Sequence, residues 1–174
     1  GFFYTSDDHE SLIFRNKDAH DSSVPSGTSM ATTVLLRLGI LTGNQEWITI
    51  AEQSIQNSVD LLKRAPLGFG QMLLALDFAA TESTQLAMVA ADKTSALSAM
   101  APYMKRFIPT RVIGYKTTDP IQPSLEQLFE GRDSNENDTT LFICKGFTCQ
   151  EPLRGIGRIH ESCDTIGRGF SGNK

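Results

Sequence analysis

The chain has 174 residues, 40% hydrophobic and 21% charged, with sixteen Lys and Arg against twenty Asp and Glu for a net charge of −4. That composition is globular and excludes the collagen-like, disordered and coiled-coil classes. The pI is near 5.3; no basic run offers itself to a phosphate backbone, which excludes nucleic acid, and no apolar stretch approaches the ~20 residues of a membrane span.

The chain opens on Gly1-Phe2-Phe3-Tyr4, apolar where a natural terminus is polar and frayed. It is therefore expected to be part of a longer protein. Its partners would be the remainder of that chain or a second copy, met through the helical half. No basic region followed by an apolar one marks a leader. Three sparse cysteines, an odd number, point to a reducing, cytoplasmic setting.

Residues 1–25 read as an irregular leader rich in carboxylates, with His9 and His20. Leu12-Ile13-Phe14 reads as a brief strand or a buried loop segment. Pro25-Ser26 introduces a first helix from about Thr28 to Thr42, with Met30, Val34, Leu38 and Leu41 on its apolar stripe. Gly43-Asn44 ends it, and Asn44 caps a second helix whose apolar face is Trp47, Ile50, Ala51, Ile55 and Leu61 or Leu62. Pro66 stops that helix. A third, about Phe69 to Ala80, carries only Gln71 and Asp77 as polar residues and is expected to be buried nearly all round. Three helices alone cannot cover it.

After Thr81 the period changes. Leu86–Ala90, Val112–Tyr115 and Thr140–Cys144 read as strands, Thr94–Phe107 as a helix with a kink or break at Pro102, and Ser124–Phe129 as a short helix. Residues 131–138 form a polar turn. Strand–helix–strand–helix–strand argues for a small three-stranded parallel sheet. The expected organisation is a helical segment at 1–82, an α/β appendage at 83–152, and a weakly ordered glycine-rich tail at 153–174.

Gly27-Thr28-Ser29-Met30-Ala31 resembles the nucleophile segment of subtilisin-like proteases. That chemistry also needs a histidine base and an oriented carboxylate. Neither His9 nor His20 has the flanking residues of such a base, and Thr32-Thr33-Val34 lacks the usual proline and histidine. The segment is read as a helix start.

A longer resemblance is more specific. It runs through Gly1-Phe2-Phe3-Tyr4-Thr5, Asp8, Leu12, Arg15-Asn16-Lys17-Asp18, Asp21 and Pro25-Ser26-Gly27-Thr28-Ser29. It continues through Leu36-Arg37-Leu38, Leu41-Thr42-Gly43, Ala65-Pro66 and Leu74-Ala75-Leu76-Asp77-Phe78, then Leu128-Phe129-Glu130-Gly131, Cys144, Phe147, Cys149 and Pro152. In order and spacing these resemble the thioredoxin-domain-containing family that includes the spermatogenesis-associated protein. Departures are Thr28 where that family has Asn, Asn16 where it has Pro, and the tail after Pro152. The resemblance implies a longer protein with an N-terminal thioredoxin-like domain, then an α/α toroid similar to six-hairpin glycosidases and sugar epimerases. This chain would supply the toroid's last helices and an α/β appendage. It contains no Cys-x-x-Cys, so the resemblance assigns it no redox activity, and no cofactor is expected.

In such toroids loops at one end line a carbohydrate-sized cleft, here the loop from Asp7 to Ser26. Asp7, Asp21 and Lys17 are the candidate catalytic groups, since paired carboxylates serve as acid and base in sugar chemistry. Phe3, Tyr4, Arg15 and Ser26 are the candidate ligand contacts. The alternative is a non-catalytic structural module, in which these charges pair with one another to fix the loop and Ser26 is an N-cap. Cys144, Cys149, His160 and Cys163 form a candidate zinc set of non-standard spacing. A Cys144–Cys149 disulfide or redox pair is the second reading, and plain buried thiols are the expectation.

Overall fold

The computed structural model describes residues 1–8, 10, 13–134, 138–146 and 148–166. His9, Leu12 and Phe147, parts of the 131–138 turn, and the last eight residues of the expected tail lie outside them. The chain divides into two units, Gly1–Thr81 and Glu82–Lys174.

The first unit holds helices α1 (Gly27–Thr42), α2 (Gln45–Arg64) and α3 (Gly70–Ala80). Ser26 and Asn44 cap α1 and α2 through their side-chain oxygens, and Gly43, at φ 69°, takes the left-handed turn between them. Pro66 stops α2 and opens a 3-10 turn, Pro66–Gly68. The seam between α1 and α2 is small and hydroxylic. Thr28, Ser29, Thr32, Leu36 and Gly39 are the buried positions of α1; Ala51, Ser54, Ile55, Ser58 and Leu62 are those of α2. Thr32 Oγ1 lies 2.8 Å from the Thr28 carbonyl and 2.9 Å from Ser54 Oγ.

This reverses the expected face of α1. Met30, Val34 and Leu38 are 43, 44 and 40% exposed. Periodicity locates a stripe without saying which neighbour it meets, and the α1–α2 approach is close enough to demand small residues on the opposite side. A Cβ at Gly39 would stand 2.6 Å from Ile48 Cγ1 and 3.1 Å from the Asn44 carbonyl oxygen. On α3 only Met72, Ala75 and Phe78 are buried; Leu73, Leu74 and Leu76 are 36, 58 and 36% exposed, so the helix is not covered all round by this unit. In the leader, Ile13 and Phe14 are exposed, neither strand nor buried segment.

The second unit runs β1 (Thr84–Val89), α4 (Lys93–Lys105), β2 (Arg111–Lys116), α5 (Glu126–Phe129), β3 (Thr140–Lys145), β4 (Thr148–Cys149), β5 (Leu153–Arg154) and α6 (Ile156–Ile166). The sheet order is β2-β1-β3-β4, with β5 also on β3. β1 and β2 are parallel, joined by α4 as a crossover helix, but β3 is antiparallel to β1, so the sheet is mixed rather than all parallel. The connection between β2 and β3, residues 117–139, has no helix longer than the four residues of α5 among the described residues. It enters β3 at the end where β2 finishes, with Thr140 opposite Val89 and Lys116 opposite the same residue.

Leu86, Met88, Leu141 and Ile143 meet Ala96, Ala99, Met100 and Tyr103 of α4 and Ile159 and Cys163 of α6 in one core. The expected loose tail is thus a helix up to Ile166. Gly155 and Gly157 disguise it, while Ile156, Ile159 and Cys163 carry its three- and four-residue spacing. Tyr103 Oη donates to the Ile159 carbonyl at 2.8 Å, and burial holds that phenol above its ordinary pKa. Nor does Pro102 break α4, which continues to Lys105. Proline has no N–H for the carbonyl four residues back, which is that of Ser98. His160 Nε2 lies 3.1 Å from that oxygen. A carbonyl only accepts, so Nε2 carries the proton and donates.

Gly39→Ala should destabilise the helical unit by about 1–3 kcal/mol in chemical denaturation, because overpacking outweighs the gain in helix propensity. An unchanged midpoint would show that Ile48 yields freely. His160→Ala should cost about 1 kcal/mol, and Pro102→Ala, which restores the intrahelical donor, should remove most of that penalty. Additive effects in the double mutant would break the link between the two residues.

Candidate functional site

The leader is fastened to the helices by Asp21. Its Oδ1 accepts the Ser26 amide at 2.8 Å, its Oδ2 accepts the Gln71 amide at 2.7 Å, and its own amide donates to the Gly68 carbonyl at 2.7 Å. Next to it, the Asp18 carboxylate accepts the His20 amide at 2.9 Å, and the His20 ring meets Phe69 edge-on at 5.5 Å. Both carboxylate oxygens of Asp21 are therefore committed to backbone donors at the starts of α1 and α3. Ser26 is 4% exposed and is an N-cap: Ser29 N donates to its Oγ at 3.1 Å, and that Oγ donates to Ser29 Oγ at 2.8 Å. Ser29 itself is fully buried in this cap, out of reach of a substrate.

Phe3, Arg15 and Lys17 form a second cluster. Arg15 Cζ and Lys17 Nζ each lie 4.1 Å from the centroid of the Phe3 ring. Arg15 also donates to the Thr5 carbonyl and, at 3.3 Å, to Thr5 Oγ1, and Tyr4 N donates to the Asn16 carbonyl at 3.1 Å. The cations of the leader thus sit on an aromatic ring. Among the described residues the two ion pairs, Arg106–Asp164 and Lys116–Asp133, both belong to the other unit. Tyr4 is 58% exposed, and Asp7 is exposed with no partner among the described residues. The structure joins neither Asp7 nor Lys17 to Asp21 by any hydrogen bond or ion pair among those residues.

Gln71 is the contact that sequence reading missed. Besides its amide on Asp21, its Nε2 donates to Thr33 Oγ1 at 2.8 Å, tying α3 to α1. A polar residue in the first turn of an otherwise apolar helix was the available signal.

In the second unit Cys144 and Cys149 are joined by a disulfide, not held as separate buried thiols. They are opposite residues of the β3–β4 hairpin, and directly opposed positions bring two Cβ atoms within bridging reach. Cys163 is a free, buried thiol in the α4–α6 core. With His160 on the Ser98 carbonyl, the four candidate zinc ligands do not converge. Among the described residues no group of three or more His, Cys, Asp and Glu could hold a metal. Arg132 Nη2 stands 3.2 Å from Cys144 Sγ and 3.7 Å from Cys149 Sγ. No sequence signal marked it. An open cleft of about 370 Å³ beside α4 and α6 is lined by Pro102, Lys105, Arg106, His160, Cys163 and Asp164. Arg106 and Asp164 there are already paired at 3.1 Å.

No family model matches the chain, and no solved structure matches it. It is similar to uncharacterized protein B0495.5 of Caenorhabditis elegans, 25% identical over 166 residues, which is 92% of this chain and 22% of that protein. It is also similar to human spermatogenesis-associated protein 20, 23% identical over 145 residues, 82% of this chain and 18% of that protein. The second similarity supports, at the level of the family, the resemblance seen in the sequence. The chain spans about one fifth of the length of these curated relatives. Among the described residues no helix is long and apolar enough to cross a membrane.

Asp21 is expected to act as a fastener. Asp21→Ala should destabilise the helical unit by about 2–3 kcal/mol, since two hydrogen bonds to a charged acceptor are lost and two amides are left unpaired. Wild-type stability in urea titration would remove this role and return Asp21 to the pool of chemical groups.

Proposed function

We propose that this chain is a structural and interaction module of a longer polypeptide, whose helical unit docks through the outward stripe of α1 onto further helices of that same polypeptide. The observation that carries this reading is the exposure of Met30, Val34 and Leu38 opposite a well-packed seam. A lone exposed leucine needs no explanation, but three at helical spacing, with Leu73, Leu74 and Leu76 exposed on α3, make a surface that water does not favour. The relatives supply the occupant: about four fifths of their length lies outside the matched region. The arrangement we assign to the assembly is an α/α toroid of the six-hairpin glycosidase type, in a cytoplasmic protein.

Catalysis by Asp21 and Lys17 is not part of the proposal, because one is committed to backbone amides and the other to Phe3. A second reading, carbohydrate binding, draws on Tyr4 and Asp7, an exposed aromatic face and an exposed carboxylate. Its test is a glycan panel on the full-length protein, with Tyr4→Ala and Asp7→Asn expected to abolish any signal. Binding that survives both substitutions would discard it.

Docking is tested with Val34→Asp and Leu38→Asp. In this 174-residue chain both should leave the melting curve within about 0.5 kcal/mol of wild type, as exposed substitutions do. In the full-length protein each should cost several kcal/mol, since an unpaired carboxylate would be buried at the contact. Equal tolerance in the two contexts would overturn the module reading.

A further inference from the structure

The cysteine hairpin is unlike an inert structural bridge in three respects, all within the second unit and independent of how the helical unit is read. First, its two sulfurs are unequal. Cys144 is 2% exposed, at the end of a buried strand, whereas Cys149 is exposed on the two-residue edge strand β4. Second, the bridge closes only a tight turn: Cys144 and Cys149 are opposite partners and Lys145 and Thr148 are the next pair. So short a loop removes little chain entropy, and a bridge of this kind contributes less to stability than one closing a long loop. Third, a cation faces the sulfurs. Arg132 donates through Nη1 to the Leu128 carbonyl and directs Nη2 to Cys144 Sγ at 3.2 Å and Cys149 Sγ at 3.7 Å. Arg132 is partly buried, and that burial pulls its guanidinium below its ordinary pKa, though it stays charged. A neutral disulfide gains little from such a neighbour. A thiolate gains a great deal.

We propose that the Cys144–Cys149 hairpin is a thiol–disulfide exchange site for a dithiol co-substrate, in which Cys149 is the attacked sulfur and Arg132 receives the departing Cys144 thiolate. One thiolate of the dithiol attacks the exposed Cys149 Sγ. A new S–S bond forms there as the Cys144–Cys149 bond breaks, and the electron pair of the broken bond leaves on Cys144 Sγ beside Arg132 Nη2. The second thiol of the co-substrate gives its proton to solvent and attacks its own partner sulfur in the mixed disulfide. Cys149 is released as a thiolate and the co-substrate leaves as a cyclic disulfide. Two electrons pass from the dithiol to the cysteine pair, and the two cysteines end reduced. Stabilising the leaving thiolate accelerates the first step, because exchange is faster when the leaving thiol has a lower pKa. Other charges near the hairpin among the described residues include Lys145, exposed on β3, Glu151, exposed two residues beyond Cys149, and Glu82, whose Oε1 would stand 3.4 Å from a Cβ at Gly146. Glu82 and Glu151 work against thiolate formation and Lys145 for it. Arg132 is the one of these for which the structure records contacts to both sulfurs.

The experiment uses the whole oxidised chain and dithiothreitol, with new protein thiols followed by alkylation and mass measurement. Wild type should be reduced in the native state about tenfold faster than Arg132→Gln, and Arg132→Lys should recover most of the rate. Equal rates in wild type and R132Q overturn the proposal; so does an R132K as slow as R132Q when all three melt alike. A monothiol, reduced glutathione, should leave its trapped adduct on Cys149, and an adduct on Cys144 overturns the assignment of the attacked sulfur. In the reduced Cys149→Ser variant, the pH midpoint of the Cys144 thiolate's ultraviolet absorbance, read against the Cys144→Ser/Cys149→Ser double variant, should lie below the ordinary thiol value of about 8.5. Should R132Q fail to fold, that Cys144 midpoint and the R132K rate decide, and a midpoint at or above the ordinary value overturns the role of the cation.

Discussion

Asp21 accepts the Ser26 amide with one carboxylate oxygen and the Gln71 amide with the other, and its own amide reaches the Gly68 carbonyl. Those two donors stand at the first turns of α1 and α3, where N–H groups lack intrahelical partners and the helix dipole is positive. A single anion thus answers two helix starts and fixes the leader between them. The approach dictates its neighbours. Gly68 faces His20, and a Cβ there would stand 2.3 Å from His20 Nε2, so no larger residue fits without moving the ring. Gln71 then extends the same connection from α3 to Thr33 of α1. The end of the leader next to α1 is thus held by this group of residues.

Where helices start and stop was legible because punctuation is local. Ser26, Asn44, Gly43 and Pro66 act through their own φ, ψ and side chains, and the structure uses all four as the sequence suggested. Which face of α1 turns inward was not legible, because that depends on how near α2 comes. Gly39, Thr32 and Ser54 permit an approach at which a leucine stripe does not fit. Hydrophobicity ranks residues by transfer from water, whereas this seam selects them by size. The two criteria oppose each other on α1, and the bulky stripe is left outside.

In the second unit the strand positions were legible and one strand direction was not. Short apolar runs identify strands, but direction is set by the end at which a connection delivers the chain, and residues 117–139 deliver β3 where β2 finishes. The tail was misread for a related reason. Two glycines argue for coil, yet Ile159 and Cys163, four residues apart and buried in one core with Tyr103, outweigh their entropic cost. His160 shows the same dependence on context. In sequence it invites a metal-ligand reading, and in space it answers the one carbonyl that Pro102 leaves without its intrahelical donor. Cysteine pairing was open for want of strand register, which alone makes Cys144 and Cys149 opposite.

Three arginines of this unit perform one common task. Arg106 donates to the Cys163 carbonyl near the end of α6, Arg111 to the Tyr103 and Arg106 carbonyls at the end of α4, and Arg132 to the Leu128 carbonyl of α5. No left-handed glycine follows α4, and the Arg111 guanidinium takes that place, whereas beside α5 Arg132 adds to the left-handed Gly131, φ 66°; each guanidinium supplies several donors and a positive charge where the dipole is negative. A guanidinium has five N–H groups, and capping a carbonyl uses one or two of them. What the remainder touches then differs by position. For Arg106 it is the Asp164 carboxylate, an exposed ion pair of small consequence. For Arg132 it is a pair of sulfurs, which carry no charge while bonded to each other and acquire one only when that bond opens. The capping role requires only a donor, and a neutral side chain of similar length can meet it. The interaction with sulfur depends on charge and becomes strong only in the reduced state, so the two roles of Arg132 separate by chemistry as well as by geometry.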